Sequence, residues 1–420
     1  MINNLAYEQG NCEIYNCSCL NLPIADNSID CVVTSPPYWG LRDYGTARWV
    51  GGLDKCEHIA NSNAIIRDSG NSLIPGWNLK RRHAKQKGYY YEDYCLTCGA
   101  KKIDMQLGHE DSLDSYIQNL VEAFREVWRV LKPTGTVWLN LGDCYSNYRP
   151  GKGQKLVKQT LSKTNQDLPE QTARRGNRID GVKEKELIGI PWRVALALQA
   201  DGWYLRQDII WHKPNPMPES VKDRCTKSHE YIFLLTKDFK YYYDNEAIME
   251  ETKTGNSNQR KNKRDVWTVP TKGYKGAHFA VFPETLITPC ILAGSSAKGC
   301  CSECGSPYKR DFNIITKPER STAKSRGNML NVIPGRDKLS RLNSKDMESI
   351  KKEFKEWVPT CNCQASIVPS VVLDIFSGSG TTVVTAIKNG RKGIGIELNK
   401  EYVELSIDRI KQTSMQHGLL

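Results

Sequence analysis

A chain of 420 residues with 39% hydrophobic content is long enough to bury a substantial core, and its formal charge of +12 points toward a polyanionic partner. Residues 1–11 lack the basic and apolar segments of a leader, and no apolar run reaches the roughly 18 residues a membrane helix needs, so a soluble, cytoplasmic protein is expected. Its 15 cysteines should then be reduced, and those grouped in pairs read as metal ligands rather than disulfides.

The positive charge is segregated. Residues 145–186 hold ten Lys and Arg against five acids, and residues 307–357 hold thirteen against seven, net +5 and +6. Two solvated loops would explain such runs taken alone. Charge gathered into inserts while the rest of the chain stays near balance suggests a surface for nucleic acid.

Residues 11–38 read as strand, turn or short helix, strand. The second strand, Cys31-Val32-Val33, runs into Thr34-Ser35-Pro36-Pro37-Tyr38. The two prolines fix φ and remove two N–H donors, so the chain leaves the sheet stiffly with carbonyls that no local ladder claims. Tyr38 can stack on a flat polar ring while the Ser35 hydroxyl and the Pro36 carbonyl accept from its exocyclic amine. A surface Pro-Pro turn is the plainer reading of these residues by themselves.

Residues 42–110 interrupt the fold and contain Cys56-Glu57-His58 and Cys95-Leu96-Thr97-Cys98-Gly99. Two thiolates two residues apart can face one tetrahedral ion while the glycine relieves the bend, so Cys56, His58, Cys95 and Cys98 are a candidate zinc site. Free cysteine pairs in a flexible loop are the alternative. Residues 112–131 spell a helix: Ser112 can cap it, Tyr116, Leu120, Phe124 and Leu131 recur at helical spacing, and Pro133 with Gly135 ends it. A buried strand over 136–141 follows and ends at Gly142-Asp143. Trp138 is read as core; Asp143 either faces a site or caps a turn.

The stretch 145–186 has no periodicity and is expected to order only on nucleic acid. From Ile190-Pro191-Trp192 a helix runs through Gln199, then a strand over 205–211 leads to His212-Lys213-Pro214-Asn215-Pro216-Met217-Pro218. Three alternating prolines make a rigid wall, with Trp211 and Asn215 as pocket candidates. His229-Glu230 precede a strand over 231–236, and His229 is read as structural. Residues 250–275 form a basic, Asn-rich connection, and 286–293 a helix. A second metal candidate joins Cys301 and Cys304 to Cys361 and Cys363; Cys301 rather than Cys300 has the two-residue spacing to Cys304. Such a site would tie off residues 305–360 as a loop, with disordered free thiols as the alternative.

The last stretch, residues 371–398, reads VVLDIFSGSGTTVVTAIKNGRKGIGIEL. An apolar strand over 371–376 ends at Gly378-Ser379-Gly380, a Thr381-Thr382 pair opens a helix, and a strand over 392–396 ends in Glu397. Glycines at a strand-to-helix turn let a ligand approach the backbone, and an acid roughly 20 residues on can hold a ribose hydroxyl pair. Val383 stands where a nicotinamide fingerprint would carry its third small residue. Asp374 would repel a pyrophosphate but could bind an ammonium. A nucleoside joined to an amino acid fits better than NAD.

TSPPY with a downstream DIFSGSGTT resembles the S-adenosylmethionine-dependent DNA amino-methyltransferases in their permuted, beta-class arrangement, in which the catalytic motif precedes the cofactor motif. The resemblance extends to LKPTGTVWLNLGD (131–143), IIWHKPNPMPES (209–220), KSHEYIFLLTK (227–237) and HFAVFPETLITPCILAGS (278–295), and so covers most of the chain. It implies an α/β fold, Rossmann-like, with a mostly parallel, doubly wound, circularly permuted sheet and zinc-tied insertions. Core pieces would be 1–41 with the catalytic motif, 111–144, 187–299, and 365–420 with the S-adenosylmethionine site. Insertions would be 42–110 with one zinc knuckle, 145–186 as candidate target-recognition segment, and 300–364 with a second zinc knuckle.

The resemblance also implies Ser35, Pro36, Pro37 and Tyr38 as catalytic residues. Asp374, Phe376, Gly378, Ser379, Gly380, Thr381 and Glu397 would bind the cofactor, with 278–283 over its methionine end. S-adenosylmethionine, duplex DNA and a cognate restriction endonuclease are the implied cofactor and partners, in an intracellular protein of a bacterium or phage, and the cysteine spacings add two structural zinc ions. Family members with Ser first in the tetrapeptide mostly methylate N4 of cytosine, and those with Asp or Asn mostly N6 of adenine. Ser35 therefore implies cytosine, with adenine as the alternative. Cys17-Ser18 stands where relatives often carry Gly-Asp, so a carboxylate expected near the adenine edge is missing. A protein glutamine methyltransferase usually has Asn before the prolines and needs no basic inserts. An inactive DNA-binding homologue would have lost the cofactor turn, which is intact here.

Overall fold

The computed structural model describes residues 4–39, 46–53, 93–95, 97–110, 112–146, 185–254, 257–271, 282–316 and 350–417, and the single positions 55, 56, 58, 182 and 183. The chain divides into two compact units, residues 1–295 with 371–420, and residues 296–370.

In chain order the first unit begins with β1 (Leu5–Gln9) and β2 (Cys12–Asn16), an antiparallel pair. β3 (Ile29–Thr34) is buried at every position, the continuous run of a strand covered on both faces. Within the stretch expected as an insertion, β4 (Arg48–Val50), β5 (Asp93–Tyr94) and β6 (Lys101–Ile103) form a small antiparallel sheet. α1 (Leu113–Val130) follows, with the Ser115 amide donating to Ser112 Oγ (3.1 Å) and Tyr116, Leu120, Phe124 and Val127 fully buried along one face. It runs straight into β7 (Leu131–Leu141), which begins at Leu131 rather than residue 136. The reason is Asp30 on the neighbouring strand: its buried carboxylate takes Lys132 Nζ at 2.7 Å and holds the strand start in register.

α2 (Ile190–Ala200), β8 (Tyr204–His212) and β9 (His229–Thr236) continue the unit. Where a plain connection was expected, β10 (Glu250–Thr254) and β11 (Ser257–Lys261) make a hairpin that sets Glu250 opposite Lys261 and Glu251 opposite Arg260. Ion pairs from its ends to the flanking chain, Arg260 with Glu246 and Glu250 with Lys263 and Arg264, secure it, and a count of basic residues along the chain does not show them. β12 (Val266–Thr268) and α3 (Glu284–Gly294) precede the second unit.

That unit contains β13 (Cys300–Cys301), β14 (Tyr308–Thr316), β15 (Ile350–Pro359) and β16 (Ile367–Val368), paired β13 with β16 and β14 with β15. The expectation of a loop over 305–360 is corrected at both flanks, which form an antiparallel ribbon. Cross-strand packing accounts for it: Phe312 lies opposite Phe354, and Arg310 lies over the Trp357 ring at 4.6 Å. These partners are too far apart in sequence for local patterning to reveal them. The chain then returns to the first unit with β17 (Val371–Asp374), α4 (Thr381–Lys388), β18 (Lys392–Glu397) and α5 (Lys400–His417).

The nine-stranded sheet of the first unit has the order β1-β2-β18-β17-β3-β7-β9-β8-β12. Pairing is parallel from β2 through β18, β17 and β3 to β7 and again between β8 and β12; β1 and β9 run antiparallel to their neighbours. Side chains of α1 and α2 pack with Ile29 and Val32 on one face, and those of α3 pack with Cys31 and Val33 on the other. The sheet is therefore mostly parallel and doubly wound, and its permutation shows in β3 lying beside β17, with Cys31 opposite Val372 and Val32 opposite Leu373. Among the described residues no helix is long and apolar enough to cross a membrane.

Candidate active site

In an open parallel sheet, ligands bind beyond the carboxyl ends of the strands where the strand order reverses. Here the ends of β17, β18 and β3 open into one cavity of about 900 Å³. That is near the upper end of the roughly 300–1,000 Å³ of a single small-molecule site. Ser35, Pro36, Pro37 and Tyr38 line one side, and Asp374, Phe376, Gly378, Ser379, Thr381 and Glu397 line another. Gly380 is not part of the lining. It sits at φ 75° where α4 begins, and a Cβ there would press on Ser406 at 3.2 Å, so its glycine serves the turn.

Asp374 is buried at the junction of three elements. Its Oδ1 accepts from the Thr34 hydroxyl (2.6 Å) and the Phe376 amide (3.0 Å), and its Oδ2 from the Thr382 hydroxyl (2.7 Å). Thr34 immediately precedes Ser35, so the same carboxylate joins the catalytic strand to the cofactor turn and to α4. Burial pushes Asp374 up to about 6, partly offset by the two hydroxyls. Asp374, which the sequence suggested as an ammonium ligand, lines the cavity and in the described structure also acts as an internal joint. Glu397 takes the Gly378 and Asn399 amides on separate oxygens, each at 2.8 Å, and burial pushes it up to about 7, with Asp374 adding to the rise. Ser377 also lines the cavity, and its hydroxyl, turned against Gly395, is buried with no partner among the described residues.

On the opposite wall the Tyr38 hydroxyl donates to Glu230 Oε2 at 2.9 Å. Lys213 pairs with the other oxygen of Glu230, and Asn140 Nδ2 lies 3.3 Å from Oε2. Gly142 lies against the Tyr38 ring so closely that a Cβ would sit 2.7 Å from it. The Pro37 carbonyl accepts from the Tyr116 hydroxyl at 2.8 Å, so α1 secures the prolines from behind. Glu230, Lys213 and Asn140 escaped the sequence reading. Their only signal was polarity at the ends of apolar strands, in LNLGD, His212-Lys213 and His229-Glu230.

Trp211 and Asn215 both line the cavity, though each is also engaged: Trp211 Nε1 donates to the Val269 carbonyl at 2.8 Å, and Asn215 bonds Thr271. His229 lines the cavity as well. Asp143 does both: it lines the cavity, and its Oδ1 accepts from the amides of Cys144, Gly189 and Ile190 at 2.9–3.1 Å. Trp138 is core, as expected. Of 278–283, positions 278–281 lie outside the described residues, and Phe282 lines the cavity.

Cys56, His58, Cys95 and Cys98 bring their ligand atoms within 4.8 Å of one another, and so do Cys301, Cys304, Cys361 and Cys363. In the first quartet Cys56 and Cys95 sulfurs are 3.7 Å apart and Cys98 Sγ is 3.3 Å from His58 Nδ1. Metal–sulfur bonds of ~2.3 Å at tetrahedral angles place sulfurs ~3.8 Å apart, whereas a disulfide needs ~2.05 Å. Each quartet could hold one tetrahedral ion. Cys300 is not in the second quartet; its sulfur lies 3.4 Å from Ser370 Oγ.

A doubly wound sheet with a Pro-Pro-Tyr rim facing a glycine turn and an acid-ended strand is that of a Rossmann-like methyltransferase. Residues 29–301 and 364–408 match the DNA methylase family. The chain is 35% identical to the type II methyltransferase M.Cfr9I of Citrobacter freundii, over 92% of this chain and 83% of that one. It is also 35% identical to the type II methyltransferase M.SmaI of Serratia marcescens, over 91% and 84%. The solved PvuII DNA methyltransferase (cytosine-N4-specific) aligns over 98% of this chain and 94% of that one, with 15% identity and a TM-score of 0.48. The chain belongs to the DNA methylase family and is an S-adenosylmethionine-dependent DNA methyltransferase.

Proposed function

We propose that the enzyme methylates the exocyclic N4 of a cytosine flipped out of duplex DNA. The observation that carries this reading is Ser35, a neutral hydroxyl beside Pro36, in one cavity with Gly378, Ser379 and Thr381. An amine conjugated to a heteroaromatic ring is a poor nucleophile, because its lone pair is delocalised. The Ser35 hydroxyl and the Pro36 carbonyl accept its two hydrogens and bias it toward a tetrahedral geometry that returns the pair to nitrogen. Bound S-adenosylmethionine supplies an electrophilic sulfonium methyl. The carbon–nitrogen bond forms as carbon–sulfur breaks, and the surplus amine proton leaves by way of Ser35 to water. Holding two reactants in line can supply ~7–11 kcal/mol, so a strong base is not required. Tyr38, braced by Glu230 and Gly142, stacks on the flipped ring.

Phe376, Gly378, Ser379 and Thr381 embrace the cofactor, Glu397 holds its ribose hydroxyls, and Gly380 and Asp374 shape the turn. Each cysteine quartet binds a structural zinc ion. The basic segment 145–186, mostly outside the described residues, is the candidate target reader. The type II designation of the relatives supports a restriction endonuclease of the same target as partner.

Transfer of labelled methyl from S-adenosylmethionine to unmethylated duplex DNA, followed by nucleoside analysis and mapping of the modified site, tests the reading. N4-methylcytosine is expected; N6-methyladenine as the sole product would refute the cytosine assignment. Metal analysis should return two zinc ions per chain, and a lower value would remove a quartet from the proposal.

A further inference from the structure

A flipped base leaves a gap in the stack, and none of the residues above fills it. The loop after β8 is built for such a task. Pro214, Pro216 and Pro218 stiffen it, and Asn215 clasps it to Thr271: Asn215 Oδ1 accepts the Thr271 amide (2.9 Å) and Nδ2 donates to the Thr271 carbonyl (3.2 Å). At its root the Lys213 amide donates to the Ser228 carbonyl at 2.7 Å. On this scaffold Met217 stands 84% exposed, more than any other large apolar side chain among the described residues. Pro216, Met217 and Pro218 also line the cavity that holds Ser35, Pro36 and Tyr38. Apolar groups in water normally fold back on the nearest apolar surface. Here prolines on both sides oppose that collapse.

We propose that Met217 is a wedge that enters the base stack of duplex DNA at the position vacated by the target base. The inference rests on the base-flipping reading above and adds the residue that keeps the flipped state open. Inserted apolar side chains unstack and hold base steps in other DNA-bending proteins. An unbranched thioether with three rotatable bonds suits an irregular gap between stacked rings. A stiff loop loses little conformational freedom on insertion, so the contact energy goes to holding the base out.

The test uses the full-length enzyme and two short duplexes carrying the mapped site. In one the target base faces its pairing partner; in the other it faces an abasic position and needs no help to leave. Met217→Ala is expected to lower kcat/KM on the paired duplex by about tenfold or more, since flipping there must overcome pairing and stacking. On the abasic duplex the defect should shrink to about twofold, because mispaired bases flip at least cost. Met217→Leu should restore most of the loss. A 2-aminopurine placed at the target should be bright with the unaltered enzyme and dim with Met217→Ala. An equal defect on both duplexes would overturn the proposal by making the loop part of the pocket itself. No defect on either would also overturn it and leave Met217 as a contact for another protein. If the unaltered enzyme is inactive on the paired duplex, the target reading fails instead, independently of Met217.

Discussion

The strand-end site and the cysteine quartets both hold together segments that are far apart in the chain, but by opposite means. At the ends of β3 and β17 the strands are positioned by apolar burial on both faces, and buried polar groups complete the register. Asp374 joins Thr34 to Thr382, and Asp30 takes both Lys132 and the Val371 amide. Around the first quartet the strands β4, β5 and β6 are only two or three residues long, and β4 is largely exposed. So small a sheet cannot hold itself together in water. The lesson is that removing one polar group should loosen the core locally, whereas removing the proposed zinc ion should release a whole element.

The largest effect should therefore come from the quartets. Cys95→Ser should lower zinc content by one ion per chain and open the segment of β4, β5 and β6 to limited proteolysis, because binding energy of ~10–16 kcal/mol in small zinc modules is also folding energy. An unchanged cleavage pattern would make the two regions alike and end the comparison. Next is Ser35→Ala, expected to lower kcat by about 100-fold, the scale seen for loss of one positioned hydrogen-bonding group. Affinity for S-adenosylmethionine should hold, which equilibrium binding can check. Third, Thr382→Val strips one oxygen of buried Asp374 of its hydroxyl. A cost of ~1–3 kcal/mol is expected in thermal or denaturant unfolding, with Thr382→Ser restoring it.

The smallest effect is on pH. Asp374 and Glu397 are raised by burial to about 6 and about 7. A raised acid favours folding most while it is protonated in both states, so this contribution is full at acid pH and fades as pH climbs through those values. S-adenosylmethionine brings positive charge and ribose hydroxyls, both better met by ionised carboxylates. Its affinity should strengthen as pH rises through about 7, and Glu397→Gln should flatten that dependence. A titration showing weaker binding at higher pH would sink this account of Glu397.

Ser35 and Tyr38 sit in a legible motif because two prolines and a strand end are local features. The residues that aim them were not legible. Glu230 reaches Tyr38 across 192 positions and Thr34 meets Asp374 across 340. The ribbon of β14 and β15 was misread as loop for the same reason.

Periodicity, capping residues, the Pro-Pro and glycine turns and the cysteine spacings by themselves determined the helix α1, the buried strands, the order of the motifs and the membership of both quartets. Each depends on neighbours within a few turns of chain. Only the tertiary structure decided that β3 lies beside β17, that Asp143 caps the start of α2 from the cavity wall, and that Asp374 joins Thr34 to Thr382. Those outcomes depend on which strands pair and on where a buried polar atom finds its partner, and strand order is set by packing across the whole sheet.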